Sequence, residues 1–325
     1  MTSLAYIPLF LFSLVISYFL TSYLAKKMKR VGITGKDVNK KDKPEVAEMG
    51  GIGFVGAFTG GVLLALALYT FGITALKINT LFVVAALLSI LSVSYMGMVD
   101  DLISLPQWAK AFIPLLAAVP LVSVSAAGST SMHIPFVGEV DFGLFYIFVL
   151  IPIGLAVASN LTNMLAGFNG LEAGMGIVIF SVMGLIALAH GNDDMAVLYI
   201  PMLGALLGFF LNNKYPARIF AGDVGNLAIG ATLASGVIIG NLESAGAILM
   251  VPYVIDFFIK AWNGFPSTKW WGEIRNGKLY PVGGKVRGFA QLIMKLSGGI
   301  SEKNLVLFFI GMEILFGLIV IALYL

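Results

Sequence analysis

The chain alternates between long apolar runs and short polar ones. A bilayer core of ~30 Å takes about 20 helical residues to cross. On that ruler ten runs qualify, at about 3–25, 51–72, 78–98, 108–127, 142–160, 173–190, 195–211, 227–241, 243–261 and 304–324. An even count puts both termini on one side. The first run, Leu4–Leu24, lacks a basic lead and ends in Lys26, Lys27, Lys29 and Arg30 rather than a small-residue cleavage site. That pattern predicts a retained helix with its carboxyl end in the cytosol, not a secretory leader.

Charge placement tests this count. With Met1 outside, the inside segments fall at about 26–50, 99–107, 161–172, 212–226 and 262–303. All of the 20 Lys and Arg residues then lie in or beside an inside segment except Lys77. So one-sided a distribution is hard to obtain from a wrong topology. Composition agrees: 59% of residues are hydrophobic and 11% charged, against roughly a quarter charged in soluble domains. With a mean hydropathy of +0.96, most of the chain must be solvated by lipid. The expected fold is an all-α integral membrane protein of about ten transmembrane helices, one polytopic domain over 1–325, lodged in the cell membrane. There is no tandem repeat, and the longest polar loop is 262–303, within which Phe289–Leu296 reads as a short helix lying on the interface. The absence of cysteine excludes disulfides, thiolate zinc sites and thiol catalysis.

The polar chemistry gathers in four inside loops. GMVDDLISLPQWAK places Asp100 and Asp101 at the end of one span and Lys110 at the start of the next. Adjacent carboxylates need a cation or lysine close by, although two aspartates can also simply end a helix among headgroups. NLTNMLAGFNGLEAG holds Asn160, Asn163, Asn169 and Glu172 among glycines that permit close approach to a phosphate. If the stretch is helical, Asn160 and Asn163 share a face. NNKYPARIFAGDVGN sets Asp223 between glycines just before a span, with Phe220 three residues earlier offering a ring for stacking. A carboxylate there needs a ligand or hydrogen bonds, or acts as an N-cap. The first loop, GKDVNKKDKPEVAEMGG, is a topogenic basic patch, but that role does not call for Asp37, Asn39, Glu45, Glu48 or Gly50-Gly51. Together these loops offer oxygen donors suited to magnesium or manganese rather than zinc, both histidines falling outside. Phosphoryl transfer needs mainly positioning and charge neutralisation.

MGMVDD, NLTNMLAGFNGLEAG and FAGDVGN, in that order on inside loops, resemble the polyprenyl-phosphate N-acetylhexosamine-1-phosphate transferases of glycosyltransferase 4 type. The resemblance covers about residues 20 to 300. GKDVNK and PEVAEMGG, with Ala166 and Asn169 where bacterial relatives carry aspartates, look more like the eukaryotic and archaeal UDP-GlcNAc:dolichyl-phosphate GlcNAc-1-phosphate transferases. It implies that Asn163 and Asp223 hold catalytic magnesium, that Asp100 and Asp101 form the acidic pair needed for turnover, and that Lys110 lies near the phosphates. Asn169 and Phe220 match uridine-contacting positions and Glu48 an acid near the nucleotide, with Asn160 on the same substrate-binding face. In the eukaryotic enzymes a cluster of arginines and a histidine in the last loop grips pyrophosphate and sugar. Here that stretch reads FPSTKWW, where Lys269 keeps one cation and Ser267 and Thr268 replace others. Lys269, Arg275, Lys278 and Arg287 follow as weaker candidates.

The implied partners are UDP-GlcNAc, a polyprenyl or dolichyl phosphate, the bilayer and, since family members are often dimers, a second copy of the chain; no nucleic acid is expected. The competing class is a membrane transporter of a nucleotide-sugar or lipid-linked substrate. Transporters usually bind near the midplane and often show two related halves, whereas here the polar clusters sit at span ends. Two acids remain. Asp256 near the inside end of its span is expected to pair with Lys260, and Glu313 in the last span is expected to be a protonated or hydrogen-bonded structural group, or a subunit contact.

Overall fold

The computed structural model describes residues 2–125, 128–134, 137–266 and 268–325, so Ser267 lies outside the described residues. Among these, eight helices are long and apolar enough to cross a membrane. They are α1 (Tyr6–Val31), α2 (Gly51–Thr70), α3 (Thr80–Ile103), α6 (Ile151–Met164, with the π-helical lead Tyr146–Leu150), α7 (Leu171–Ala189), α8 (Asp193–Asn213), α9 (Gly222–Gly240) and α13 (Glu302–Tyr324). The run expected at 243–261 is two helices, α10 (Glu243–Leu249) and α11 (Val251–Trp262), bent by 61° at Met250. Pro252 lacks the N–H a continuous helix needs there. The run expected at 108–127 is shorter than read, as α4 (Gln107–Ala117) and α5 (Val119–Ser123), broken near Pro114 and Pro120.

Among the described residues three antiparallel strand pairs join the helices: β1 (Thr34–Lys36) with β2 (Glu45–Ala47), β3 (Ser131–Ile134) with β4 (Gly138–Asp141), and β5 (Gly272–Arg275) with β6 (Lys278–Pro281). The interfacial helix is present as α12 (Phe289–Leu296), with Leu296 largely exposed and Met294 buried.

Small residues let these helices approach closely, as membrane bundles require. On α1, Ser13, Ser17 and Thr21 form one buried face against α2 and α8, and Ser17 Oγ donates to Ala205 O at 2.5 Å. At the centre, α9 is buried almost throughout, packed by α3 and α6, while α1 and α13 turn side chains such as Phe19 and Leu318 outward. Both chain ends lie at one end of the bundle. Tyr6 Oη donates to Asp193 Oδ1 at 2.5 Å at the start of α8, and Tyr324 meets Ser244 on α10. His133 and Lys77 lie there too, through bonds to Ser244 and Asp193. The loops after α1, α3, α6, α8 and α11 converge on the opposite end.

Candidate active site

At that opposite end a cavity of roughly 1360 Å³ opens between α3, α4, α6, α9 and α11 and the loops that cap them. Glu48, Asp101, Lys110, Asn160, Asn163, Phe220 and Asp223 all line it. Asn160 and Asn163 belong to α6 itself, which continues further than expected from sequence, so both face inward from one helical turn.

The carboxylates divide their work. Asp101 Oδ1 accepts the Asp223 N–H at 2.9 Å and Oδ2 accepts the Val224 N–H at 3.2 Å. It therefore caps the first turn of α9, whose own N-cap, Ala221, has no side-chain bond. The positive end of that helix favours an anion there. Asp223 is thus not the cap; its side chain remains available to the cavity. Asp100 is buried behind it: Oδ1 accepts the Leu105 N–H at 2.8 Å, and Oδ2 lies 2.5 Å from Lys110 Nζ. Asp100 and Asp223 are within hydrogen-bonding reach of each other, a crowding of negative charge that only a proton, lysine or metal relieves.

Backbone contacts fix the first loop here. Gly50 N–H donates to Phe220 O and Gly51 N–H to Ala221 O, each at 2.8 Å, while Phe220 N–H donates to Ala47 O. The Gly50-Gly51 pair is needed because any Cβ would strike α9 or the segment before it. This docking brings Glu48 to the cavity, where burial and the nearby Asp101 charge push its carboxyl above the usual carboxylate range.

The donor set suits a hard cation. Asn163 Oδ1, already accepting from Asn226 Nδ2 at 3.1 Å, has a second lone pair, and the buried Asn213 Oδ1 and Asn226 Oδ1 have no partner among the described residues. No three His, Asp or Glu side chains among the described residues form a ready cage. A cation that takes only one or two protein oxygens and completes its shell with water and phosphate can use such a donor set.

Two expected residues are placed elsewhere. Asn169 is buried outside the cavity lining: Nδ2 donates to Asp37 Oδ2 (3.1 Å), Oδ1 accepts the Ala217 N–H (2.8 Å), and its own N–H goes to Glu302 Oε1 (2.8 Å). Its amide shapes the loop, and Gly167 and Phe168 line the cavity in its place. Lys269 has an exposed side chain and does not line the cavity; its carbonyl accepts from Gln291 Nε2. Asp256 pairs with Lys260 at 2.8 Å as expected and also accepts the Phe289 N–H, capping α12. Glu313 is fully buried inside its own chain, with neither oxygen hydrogen-bonded among the described residues.

Sequence alone does not point to Lys40 and Glu302. Lys40 Nζ bonds the Glu302 carboxylate, lies 3.1 Å from Asp37 Oδ2, and sits 4.4 Å from the centre of the Tyr215 ring. With Asn169 this network ties the first loop, the asparagine loop, the segment before α9 and the start of α13 together. Lys40→Met would leave two buried carboxylates facing each other. The expected loss is about 3 kcal/mol, read as a lower unfolding midpoint in detergent; an unchanged midpoint would mean the network adds no stability.

These features sit largely within one matched segment. The model of the family described as glycosyl transferase family 4 matches residues 81–241, the stretch carrying Asp100, Asp101, Lys110, Asn160, Asn163, Phe220 and Asp223. A protein of Saccharolobus solfataricus, provisionally named a UDP-N-acetylglucosamine–dolichyl-phosphate N-acetylglucosaminephosphotransferase, is 35% identical over 96% of this chain and 95% of its own. The chain belongs to glycosyl transferase family 4. A Sulfolobus acidocaldarius protein with the same provisional name is 33% identical over 95% of this chain and 93% of its own. The similarity extends to a phospho-N-acetylmuramoyl-pentapeptide-transferase of Leuconostoc mesenteroides, 29% identical over 73% of this chain and 72% of its own. The family match ends before the last polar loop, which adds Trp270 and Trp271 to the cavity lining.

Proposed function

We propose that the protein transfers N-acetylglucosamine 1-phosphate from UDP-GlcNAc to a polyprenyl phosphate of the dolichyl type, releasing UMP and leaving a lipid-linked diphosphate sugar that starts glycan assembly. The observation that carries this reading is the composition of one cavity. Lys110, Asn163 and Asp223 stand in its polar part, and Val157, Leu161, Val254, Phe257 and Phe258 form an apolar wall. A charged donor and a lipid acceptor can therefore meet there. A second cavity of about 260 Å³, almost entirely apolar, shares Val157, Leu161 and Val254 with the first and extends the path for the prenyl chain.

In the reaction an oxygen of the lipid phosphate forms a bond to the sugar-linked phosphorus of UDP-GlcNAc. The bond from that phosphorus to the bridging oxygen breaks, and its electron pair leaves with UMP. A phosphate oxygen is already a competent nucleophile, so no protein nucleophile is required. Asp100 is ill placed for a covalent route, being buried against Lys110 and the Leu105 N–H. Its role is to hold Lys110, whose ammonium faces the phosphates. Asp101 holds the start of α9 and thereby Asp223. Magnesium, or manganese, would be held by Asp223 and Asn163 and would neutralise pyrophosphate charge when bound. Phe220 offers its ring to the uracil, Glu48 stands beside the nucleotide, and Asn160 completes the substrate face of α6. The cavity faces the cytosol and both termini lie outside, because that orientation leaves Lys77 as the lone cation across the membrane.

The test is UMP release by purified protein given UDP-GlcNAc and a polyprenyl phosphate, with magnesium and then with EDTA. Release that needs both lipid and metal is expected. Folded protein that releases no UMP with any lipid phosphate or metal would overturn the reading.

A further inference from the structure

The loop between α11 and α12 adds an aromatic corner to the cavity. Of the four tryptophans, Trp108 and Trp262 are 68% and 92% exposed, whereas Trp270 and Trp271 are half-buried and both line the site. Their rings stand 5.8 Å apart at 84°. Trp270 also meets Phe168 edge-on at 6.2 Å, and its ring covers Gly167, where a Cβ would collide with it.

Two buried side chains hold the backbone of the corner. Gln291, fully buried on α12, donates from Nε2 to Lys269 O (2.7 Å) and Trp271 O (2.8 Å). Asn39 accepts the Gly272 N–H at 3.0 Å and donates to Gly167 O at 3.0 Å, tying the start of β5, next to Trp271, to the asparagine loop. Ordering two large rings costs conformational entropy, and this loop orders them half-buried at the edge of the cavity. A flat, electron-rich indole face preset there suits a ring with outward C–H groups and polar edges.

We infer that Trp270 and Trp271 form the stacking surface for the pyranose ring of the sugar nucleotide, and that they set its selectivity. Axial C–H groups of a hexopyranose carry partial positive charge and meet the negative face of an indole, while its hydroxyls and N-acetyl group remain free for hydrogen bonds. The uracil has another ring available in Phe220, and the prenyl chain has the apolar wall of α6 and α11. The inference rests on the transferase reading above and names which part of its donor substrate these two residues hold.

The experiment compares Trp270→Ala, Trp271→Ala and the two Phe variants with the wild type. It measures KM for UDP-GlcNAc, KM for the lipid phosphate, and Ki for UDP, which lacks only the sugar. At least one Ala variant is expected to raise KM for UDP-GlcNAc by about tenfold, with the UDP Ki and the lipid KM unchanged and with Phe restoring most of the loss. A parallel rise in the UDP Ki would assign the pair to the nucleotide, and a rise confined to the lipid KM would assign it to the prenyl chain. Unchanged KM in both Ala variants, or failure of Phe to rescue, would also overturn the inference. A second readout covers Ala variants that fail to fold. In Trp108→Phe/Trp262→Phe protein the remaining emission comes from this corner, and UDP-GlcNAc should quench or shift it where UDP does not; equal responses would refute the sugar assignment. Wild-type protein that releases no UMP would remove the transferase reading and this inference with it. Wild-type turnover with unaffected tryptophan variants would remove the inference alone.

Discussion

Asp223→Asn protein is expected to lose about a thousandfold or more in kcat for UMP release while unfolding at nearly the wild-type temperature. The two halves of this expectation have separate causes. Activity falls because Asp223 is the carboxylate in the cavity that Asp101 and α9 leave available, and an amide is a far weaker partner for a divalent cation. The fold survives because the fastening of α9 uses the Asp223 backbone N–H, not its side chain, and that N–H persists in asparagine. Removing one charge from the neighbourhood of Asp100 and Asp101 also relieves repulsion. The measurement is kcat and KM at saturating lipid phosphate beside a thermal melt in detergent. Near-wild-type kcat would remove Asp223 from the catalytic set. A collapsed melt would show that its carboxylate is a structural group.

Gly97→Ala carries the second large expected effect, although residue 97 touches no substrate. A Cβ at that position of α3 would lie 2.6 Å from the carbonyl carbon and oxygen of Asp223 and 2.6 Å from the Val224 nitrogen. These are backbone atoms, so no rotamer change relieves the clash, and α3 must move away from the start of α9. That motion separates Asp101 from the N–H groups it caps and shifts Asp223 relative to Lys110. A displacement near 1 Å at a reacting centre costs about a hundredfold in rate, and a loss of that size in kcat is expected together with a lower melting temperature. Gly311→Ala on α13 is the control, because a Cβ there meets nothing within 4 Å. Removing glycine from a helix interior is worth up to about 1 kcal/mol, so that variant should be as stable as wild type or slightly more so, with full activity. Equal behaviour of the two variants would show that close α3–α9 packing does not set the site.

Part of this site is legible in the chain itself. The doublet Asp100-Asp101, the asparagines of α6 and Asp223 each stand at a helix end that hydropathy places at the membrane surface, and the bundle brings those ends together. Asp256 and Lys260 are four residues apart on one helix, so their pairing is a local matter that sequence predicts. What each carboxylate does is a different question. The resemblance implies that Asp101 belongs to an acidic pair needed for turnover, and in the fold its two oxygens hold backbone N–H groups 122 and 123 residues away. Asn169 was expected to face uridine, and it turns into a network with Asp37, Lys40 and Glu302. The resemblance puts Lys269 where a phosphate-gripping cation would stand, and the segment that carries it presents Trp270 and Trp271 to the cavity instead.

Sequence by itself determined the solvent of this protein and, through it, the helices. A bilayer offers no partner for free backbone groups, so apolar runs of sufficient length become helices, and their polar connections gather at the surfaces. Only the tertiary structure decided where the helices fall short or bend, as at α4–α5 and at Met250 between α10 and α11, and which polar group meets which. The choice between Lys110 and substrate for Asp100, or between substrate and Glu302 for Lys40, depends on how closely glycines such as Gly97 and Gly51 let distant helix ends approach. That distance is set by packing across the whole bundle. It leaves no periodic signature in any one segment.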